Sequence, residues 1–145
     1  MKKLSFVVAL LLAAGCGSDS TAPRADLAGS WTYSATNLSV SGVTCSITGV
    51  SLTLVTTGNT FTGTVAPGGV LICAGPAGAD TASLGGDVVA NGTVNGNAVA
   101  FDIGTQDFHN AGTLSGNSMS GNVTVHSVDN GISITLTGNF SAVKH

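Results

Sequence analysis

The sequence predicts an all-β domain from Gly29 onward, folded as an eight-stranded antiparallel up-and-down barrel. Apolar and polar residues alternate with a period of two through this region, and no stretch places apolar residues at helical spacing. Turn sequences such as Asn95-Gly96, a strong hairpin signal, separate the alternating segments. A meander with one apolar face exposes its outermost strands unless they pair, which favours closure into a barrel. A two-layer β-sandwich is the alternative.

Residues 1–15 have the organisation of a signal peptide. Lys2 and Lys3 precede an apolar run over residues 4–14, which is too short to span a bilayer as a stable helix. The run ends in the letters LLAAGC at Cys16, which resembles the lipobox of bacterial lipoproteins. The resemblance implies cleavage before Cys16 and attachment of lipid, palmitate included, to its thiol. An ordinary secreted protein cleaved near Ala14 is the alternative.

The membrane is therefore the first expected partner. Residues 17–23 contain no apolar side chain large enough to bury, so we expect residues 16–28 to form a disordered, lipidated tether. Two or three acyl chains hold a protein on a membrane almost permanently. Gly17, rather than Asp, follows the cysteine, and the sorting rules of lipoproteins then imply the outer membrane of the cell envelope, where the host has one. Residues 29–145 suffice for one domain and are too few for two.

Composition excludes several functions. The chain after residue 15 carries seven acidic residues, all Asp, against only Arg24 and Lys144 as permanent cations, a formal charge of minus 5. No basic surface exists to hold phosphates, so we expect no nucleic-acid partner. Glutamate is absent, and no nucleophile elbow, glycine-rich phosphate loop or buried carboxylate pair is recognisable. We predict no enzyme and no cofactor, with Asp80, Asp87 and Asp102 scattered over loops or the outward face.

Cys45 and Cys73 are predicted to form a disulfide. Once Cys16 carries lipid, they remain as an even pair in an oxidising compartment. Closing a loop of roughly 28 residues stabilises a fold by about 3 kcal/mol in the chain-entropy model. The two cysteines lie in the two long connections, residues 38–49 and 66–83, which we expect to be flexible loops at the mouth of the barrel, away from the tether.

Each predicted strand presents one apolar face. Two-residue turns fix the register, and a slip by one place would turn a whole apolar set outward. The turns pair Leu54 with Gly63, Phe101 with Phe108, and Leu114 with Met119. Strand by strand, the inward residues are predicted to be Trp31, Tyr33 and Ala35; Val50, Leu52 and Leu54; Phe61, Gly63 and Val65; Val88, Ala90 and Val94; Val99, Phe101 and Ile103; Phe108 and Leu114; Met119, Val123 and Val125; and Ile132, Ile134, Leu136 and Phe140.

The motif Gly29-Ser30-Trp31, opening an eight-strand meander, resembles the calycins, the superfamily of lipocalins, avidins and fatty-acid-binding proteins. The final strand, residues 139–144, is also similar to the last strand of avidins. With Trp31 as its only tryptophan, the chain has no aromatic biotin box. The resemblance implies a lipocalin-like barrel and leaves the ligand open.

An eight-stranded barrel can hold one small ligand, so a carrier of a small apolar molecule is the first functional hypothesis. Tyr33 and Asn110 are the inward polar groups able to orient such a ligand. A structural or adhesive envelope lipoprotein with a side-chain-filled core and no ligand is the alternative. The predicted ligand-binding residues are Trp31, Tyr33, Phe61, Phe101, Phe108, Asn110, Met119 and Phe140.

One cluster on the outward face could in principle hold a metal ion. The turn at Gly116-Asn117 places Asp107 across from His126, with His109 diagonal to it. Two imidazoles and a carboxylate are a set that zinc or copper accepts, and a metal-assisted enzyme is the third hypothesis. An exposed cross-strand ion pair explains the same residues, so we predict no metal.

Replacing Cys16 by Ser should remove the lipid and release the protein from the membrane fraction. Metabolic labelling with palmitate checks this, because the wild-type chain should carry the label and Cys16→Ser should not. The matched control is Cys45→Ser, which should keep the label. A labelled Cys16→Ser chain would contradict the lipid anchor.

Overall fold

A computed structural model describes residues 26–104, 107–129 and 131–145. The signal peptide, Cys16 and most of the tether lie outside the described residues, and so do Thr105, Gln106 and Asn130. All ten regular elements in the described ranges are strands, and none of these residues forms a helix able to cross a membrane. The strands are β1 (Gly29–Val40), β2 (Val43–Thr57), β3 (Thr60–Val65), β4 (Gly69–Gly75), β5 (Gly78–Leu84), β6 (Val88–Asn95), β7 (Ala98–Ile103), β8 (Phe108–Ser115), β9 (Ser118–Asp129) and β10 (Ile132–Lys144).

Eight of these strands form a closed antiparallel barrel, as the sequence predicts. The order is β1-β2-β3-β6-β7-β8-β9-β10, and β1 completes the ring because it pairs with β2 on one side and β10 on the other. The sandwich alternative does not apply, since a sandwich would leave the edges of two sheets unpaired. The remaining strands, β4 and β5, form a hairpin that continues the wall of the barrel from β2.

The two long connections are strands rather than flexible loops, which corrects the expectation for residues 38–49 and 66–83. β1 and β2 run on to a two-residue turn at Ser41 and Gly42, whose φ values of 45° and 82° suit a tight hairpin. Residues 44–48 of β2 pair with β4, whereas residues 52–57 pair with β3. Cys45 lies directly opposite Cys73 in the β2–β4 ladder, and the predicted disulfide joins them.

Most of the predicted inward faces are confirmed, and three predicted details are wrong. Leu54 pairs with Gly63 and Leu114 with Met119 as expected. Phe101 pairs with Asn110 instead of Phe108, because β7 ends at Ile103 and β8 begins at Phe108, so that four residues and not two connect them. The two-residue shift keeps both side chains on the same face of the sheet.

The start of β6 is the second correction. Val88 is 49% exposed and Val89 is buried, the reverse of the predicted alternation. The pairing of β6 with β3 and β7 shifts register near Asn91, whose φ is 53°, and this bulge returns Val94 to the interior. The third correction is Ile132, the first residue of β10, which was predicted to face inward. It is 67% exposed, because the tip of the β9–β10 hairpin extends past the rest of the wall.

One end of the barrel, the closed end, is sealed by residues next to the start of β1. Leu27 and Trp31 are buried, and the Trp31 indole Nε1 donates a hydrogen bond of 2.8 Å to the Leu27 carbonyl oxygen. The Lys144 ammonium donates to the Asp26 carbonyl oxygen at 2.8 Å. The opposite end, the mouth, is bounded by the tips of the β1–β2, β4–β5 and β9–β10 hairpins. The described chain therefore begins at the end away from the mouth.

Strands β8 and β9 approach each other closely where Gly112 faces Gly121. A Cβ on Gly121 would lie 2.2 Å from the Ala111 carbonyl oxygen, and one on Gly112 would lie 2.1 Å from the Ser120 carbonyl oxygen. Neither carbonyl oxygen can move away without disrupting the hydrogen-bonded pairing of β8 with β9. The glycine pair thus permits the tight coiling of a small barrel.

Gly121→Ala should lower the free energy of unfolding by about 1–3 kcal/mol or more, because the added methyl overlaps backbone atoms. Urea denaturation followed by Trp31 fluorescence measures the change. The control is Ser120→Ala, an exposed neighbour that should change stability by less than about 0.5 kcal/mol. Equal stability of Gly121→Ala and wild type would show that the strands do not approach so closely.

Candidate functional site

The lower half of the barrel, next to the closed end, is filled by its own side chains. Tyr33 stacks on Phe140 with ring centroids 6.0 Å apart, and Phe101 meets Phe140 edge-on at 5.5 Å. Phe61 adds a tilted contact with Phe101 at 5.8 Å. Trp31 and Met119 are 1% exposed. Most of the side chains predicted to bind a ligand therefore contact one another, and their direct contact with a ligand stays a prediction.

Tyr33 and Asn110 satisfy each other inside this core. The Tyr33 hydroxyl donates to Asn110 Oδ1 at 2.9 Å. Asn110 Nδ2 donates to the carbonyl oxygens of Phe101, at 3.4 Å, and Phe108, at 3.2 Å. Burial raises the pKa of the Tyr33 hydroxyl far above its usual value, so it stays a neutral donor. These polar atoms have partners without a ligand.

A small void above the core separates it from the mouth. Its volume is about 20 Å³, room for about one water molecule. Tyr33, Ile47 and Val65 line it from below and the sides, and Leu84 and Phe108 line it toward the mouth. No organic ligand fits at this level of the barrel.

The mouth itself holds an open cavity of about 540 Å³. Three hairpins and the start of β8 surround it, and most of its walls are aliphatic. Phe108 is the one predicted ligand-binding residue that lines it. The lining residues are Leu38, Val40, Val43 and Cys45 from the β1–β2 hairpin; Leu71, Cys73 and Leu84 from the β4–β5 hairpin; Asp107 and Phe108; and Val125, His126, Ser127, Val128, Ile134 and Leu136 from the β9–β10 hairpin.

Sequence reasoning missed most of these residues because they lie beyond the ends of the predicted strands. A signal was nevertheless present. Cys45 and Ile47 alternate with polar neighbours at the start of β2, whereas Leu38 faces inward only because a bulge shifts the alternation of β1. Both side chains are buried.

The rim of the cavity carries two ionisable side chains, Asp107 and His126. The predicted juxtaposition is present, since the His126 amide donates to the Asp107 carbonyl oxygen at 2.8 Å. The His126 ring Nδ1 lies 3.2 Å from the Thr135 hydroxyl oxygen. A carboxylate and an imidazole thus stand at the edge of an otherwise apolar opening.

His109 does not join this pair. Its Nδ1 lies 2.6 Å from Asp102 Oδ1, and Asn91 Nδ2 donates to Asp102 Oδ2 at 2.7 Å. Asp102 lies on the outward face of β7, yet it is only 6% exposed because Asn91 and His109 cover it. Within the described ranges no three metal-binding side chains converge, and Asp107, His109 and His126 form no such group.

The bulge at Asn91 explains how an outward carboxylate becomes buried. The left-handed residue carries its amide over β7, while His109 covers Asp102 from β8. Desolvation raises the pKa of the Asp102 carboxyl, but the hydrogen bonds from Asn91 and His109 and the electrostatic attraction of His109 outweigh it. The net effect is a pKa below the usual value.

No known protein family, no curated protein and no solved structure matches this chain. The eight-stranded antiparallel barrel is consistent with a calycin-like domain. Any function must therefore be argued from the cavity and its surroundings.

Asp102→Asn should destabilise the protein most at neutral pH. Because the folded pKa is lowered, the ionised carboxylate contributes stability above the unfolded pKa of about 3.9, and this contribution disappears as pH falls through the folded pKa. The difference in unfolding free energy between wild type and variant should shrink below about pH 4. Urea titrations at pH 7, 5, 4 and 3 measure it.

His109→Gln serves as the companion variant, since it removes one of the two groups that lower the pKa of Asp102. In a chain that carries His109→Gln, Asp102→Asn should therefore cause a smaller pH-dependent change in the free energy of unfolding. A wild-type-to-variant difference that stays constant from pH 7 to pH 3 would disprove the role assigned to the carboxylate.

Proposed function

We propose that this protein is a lipid-anchored lipoprotein of the cell envelope whose barrel binds a small apolar molecule in the mouth cavity. The observation that carries the proposal is the open, mostly aliphatic cavity of about 540 Å³ above a filled core. Binding sites for small molecules are typically about 300–1,000 Å³, apolar, and furnished with a few polar groups. Asp107, His126 and Ser127 are the polar residues here.

The packed lower barrel supports the proposal as a rigid base. A cavity that keeps its shape without ligand costs little ordering free energy on binding. The aromatic residues first considered as ligand contacts act here as the floor. The disulfide between Cys45 and Cys73 ties the β4–β5 hairpin to β2, which holds one wall of the cavity in place.

The position of the first described residues also suits a carrier. The described chain begins at the closed end, so an anchor at Cys16 would attach the barrel by the end opposite the cavity. The mouth then faces away from the anchoring membrane and stays open to ligand from the aqueous compartment.

A structural or adhesive lipoprotein without ligand is the second candidate, favoured by one observation. Val128 and Ile132, at the tip of the β9–β10 hairpin, are 71% and 67% exposed. Exposed aliphatic side chains beside an opening suit contact with another macromolecule as well as capture of a ligand. The two candidates differ in whether the cavity takes up a small molecule.

Leu136→Trp should weaken binding of the neutral dye N-phenyl-1-naphthylamine by about 10-fold or more, because the indole fills part of the cavity. A 10-fold loss corresponds to about 1.4 kcal/mol of binding free energy. The protein is the mature chain, residues 16–145, carrying Cys16→Ser so that no detergent is needed. Dye fluorescence measures the affinity, and native mass spectrometry checks for ligand retained from the host.

Val143→Trp is the matched control. It adds the same side chain to β10 at a position that is 50% exposed, next to the closed end, and should leave dye binding unchanged. No dye binding to the parent chain would favour the scaffold candidate. Equal weakening by both tryptophans would show that the dye binds elsewhere.

A further inference from the structure

Apart from Asp102 on the outer face of β7, the carboxylates and the lysine whose side chains the structure describes lie toward the two ends of the barrel. Within the described residues, Lys144 is the single permanent cation, and it lies at the closed end, where its Nζ is 3.6 Å from Asp26 Oδ2. Asp107 lines the mouth cavity itself. The mouth therefore carries fixed negative charge and no permanent cation from the described chain.

Two further carboxylates stand close to the same cavity. Asp80 lines a smaller neighbouring pocket together with Leu71 and Cys73, which also line the mouth. Asp87 lines the void below it together with Leu84. The three carboxylates together make the electrostatic potential at the opening negative. The apolar walls of a cleft have a low dielectric constant and concentrate this field in the cavity.

Asp107 is the carboxylate best placed to contact a bound molecule. Its backbone position is held by the bond from the His126 amide, and its side chain is exposed at the rim. Neither ion pair found within the described residues involves it. A molecule whose apolar part fills the cavity would bring its polar end to this carboxylate.

We propose that the cavity selects apolar molecules that carry a protonated amine, and discriminates against fatty acids and other anionic amphiphiles. The inference rests on the proposed function, because it concerns the ligand of the same cavity. An ammonium group at the rim is attracted by Asp107 and by the weaker fields of Asp80 and Asp87. A carboxylate at the same place is repelled by all three.

Competition with N-phenyl-1-naphthylamine by decylamine, decanol and decanoate tests the selectivity, below the concentrations at which they form micelles. The protein is again residues 16–145 with Cys16→Ser. Decylamine should bind about 5-fold tighter than decanol, and decanoate about 5-fold weaker, as for a single solvent-exposed charge contact. Both differences should narrow at 0.5 M salt because exposed charges are screened.

Asp107→Asn should lower the affinity for decylamine to nearly that for decanol, while the affinity for decanol stays unchanged. Asp26→Asn removes the same charge at the closed end and should leave all three affinities as they are. An equal effect of both variants would mean that net charge acts, and would overturn the proposal.

The outcomes also separate this inference from the function on which it rests. If the dye and decanol bind but decanoate binds as tightly as decylamine, the selectivity is wrong and the carrier function stands. If neither the dye nor any of the three amphiphiles binds, both fail.

Discussion

The structure depends on the closure of the barrel through β1. This strand forms hydrogen-bonded ladders with β2 on one side and β10 on the other, so none of the eight barrel strands leaves a full edge unpaired. Closure brings the apolar faces of all eight strands around a common axis. Near the closed end that axis is too narrow for anything but side chains, and Tyr33, Phe61, Phe101 and Phe140 fill it.

The cavity exists because the strands differ in length. On one side of the barrel β3 and β7 have 6 residues each, and β6 and β8 have 8. On the other side β1 and β9 have 12 residues, β10 has 13 and β2 has 15. The long strands continue past the level at which the short ones end, and the β4–β5 hairpin extends this higher wall. An apolar inner face is thus left without an opposing layer.

Polar side chains in the core and wall of the barrel differ from those at the mouth. Tyr33 and Asn110 in the core, and Asp102 with Asn91 and His109 on the outer face, find their partners within the chain. Their role in the structure is accounted for by stability. At the mouth, by contrast, the Asp107 side chain enters neither of the ion pairs that the described residues form.

The local pattern of the sequence was enough for much of the fold. Alternation with a period of two places Trp31, Tyr33, Phe61 and Phe101 on the inside, because a strand turns successive side chains to opposite faces. Short turns fixed the pairing of Leu114 with Met119 for the same geometric reason. The disulfide was predicted from an even pair of cysteines, because the signal-peptide pattern implies an oxidising compartment.

Other features depend on contacts between segments far apart in the chain. The bulge at Asn91 and the longer β7–β8 turn change the register without altering the local alternation, so neither is visible in a single strand. The β4–β5 hairpin becomes part of the wall only because β2 offers it a free ladder beyond the end of β3. The sequence by itself determined which residues face inward. Only the tertiary structure decided where the interior is filled and where it stays open, because that depends on the relative heights of strands that meet across the barrel.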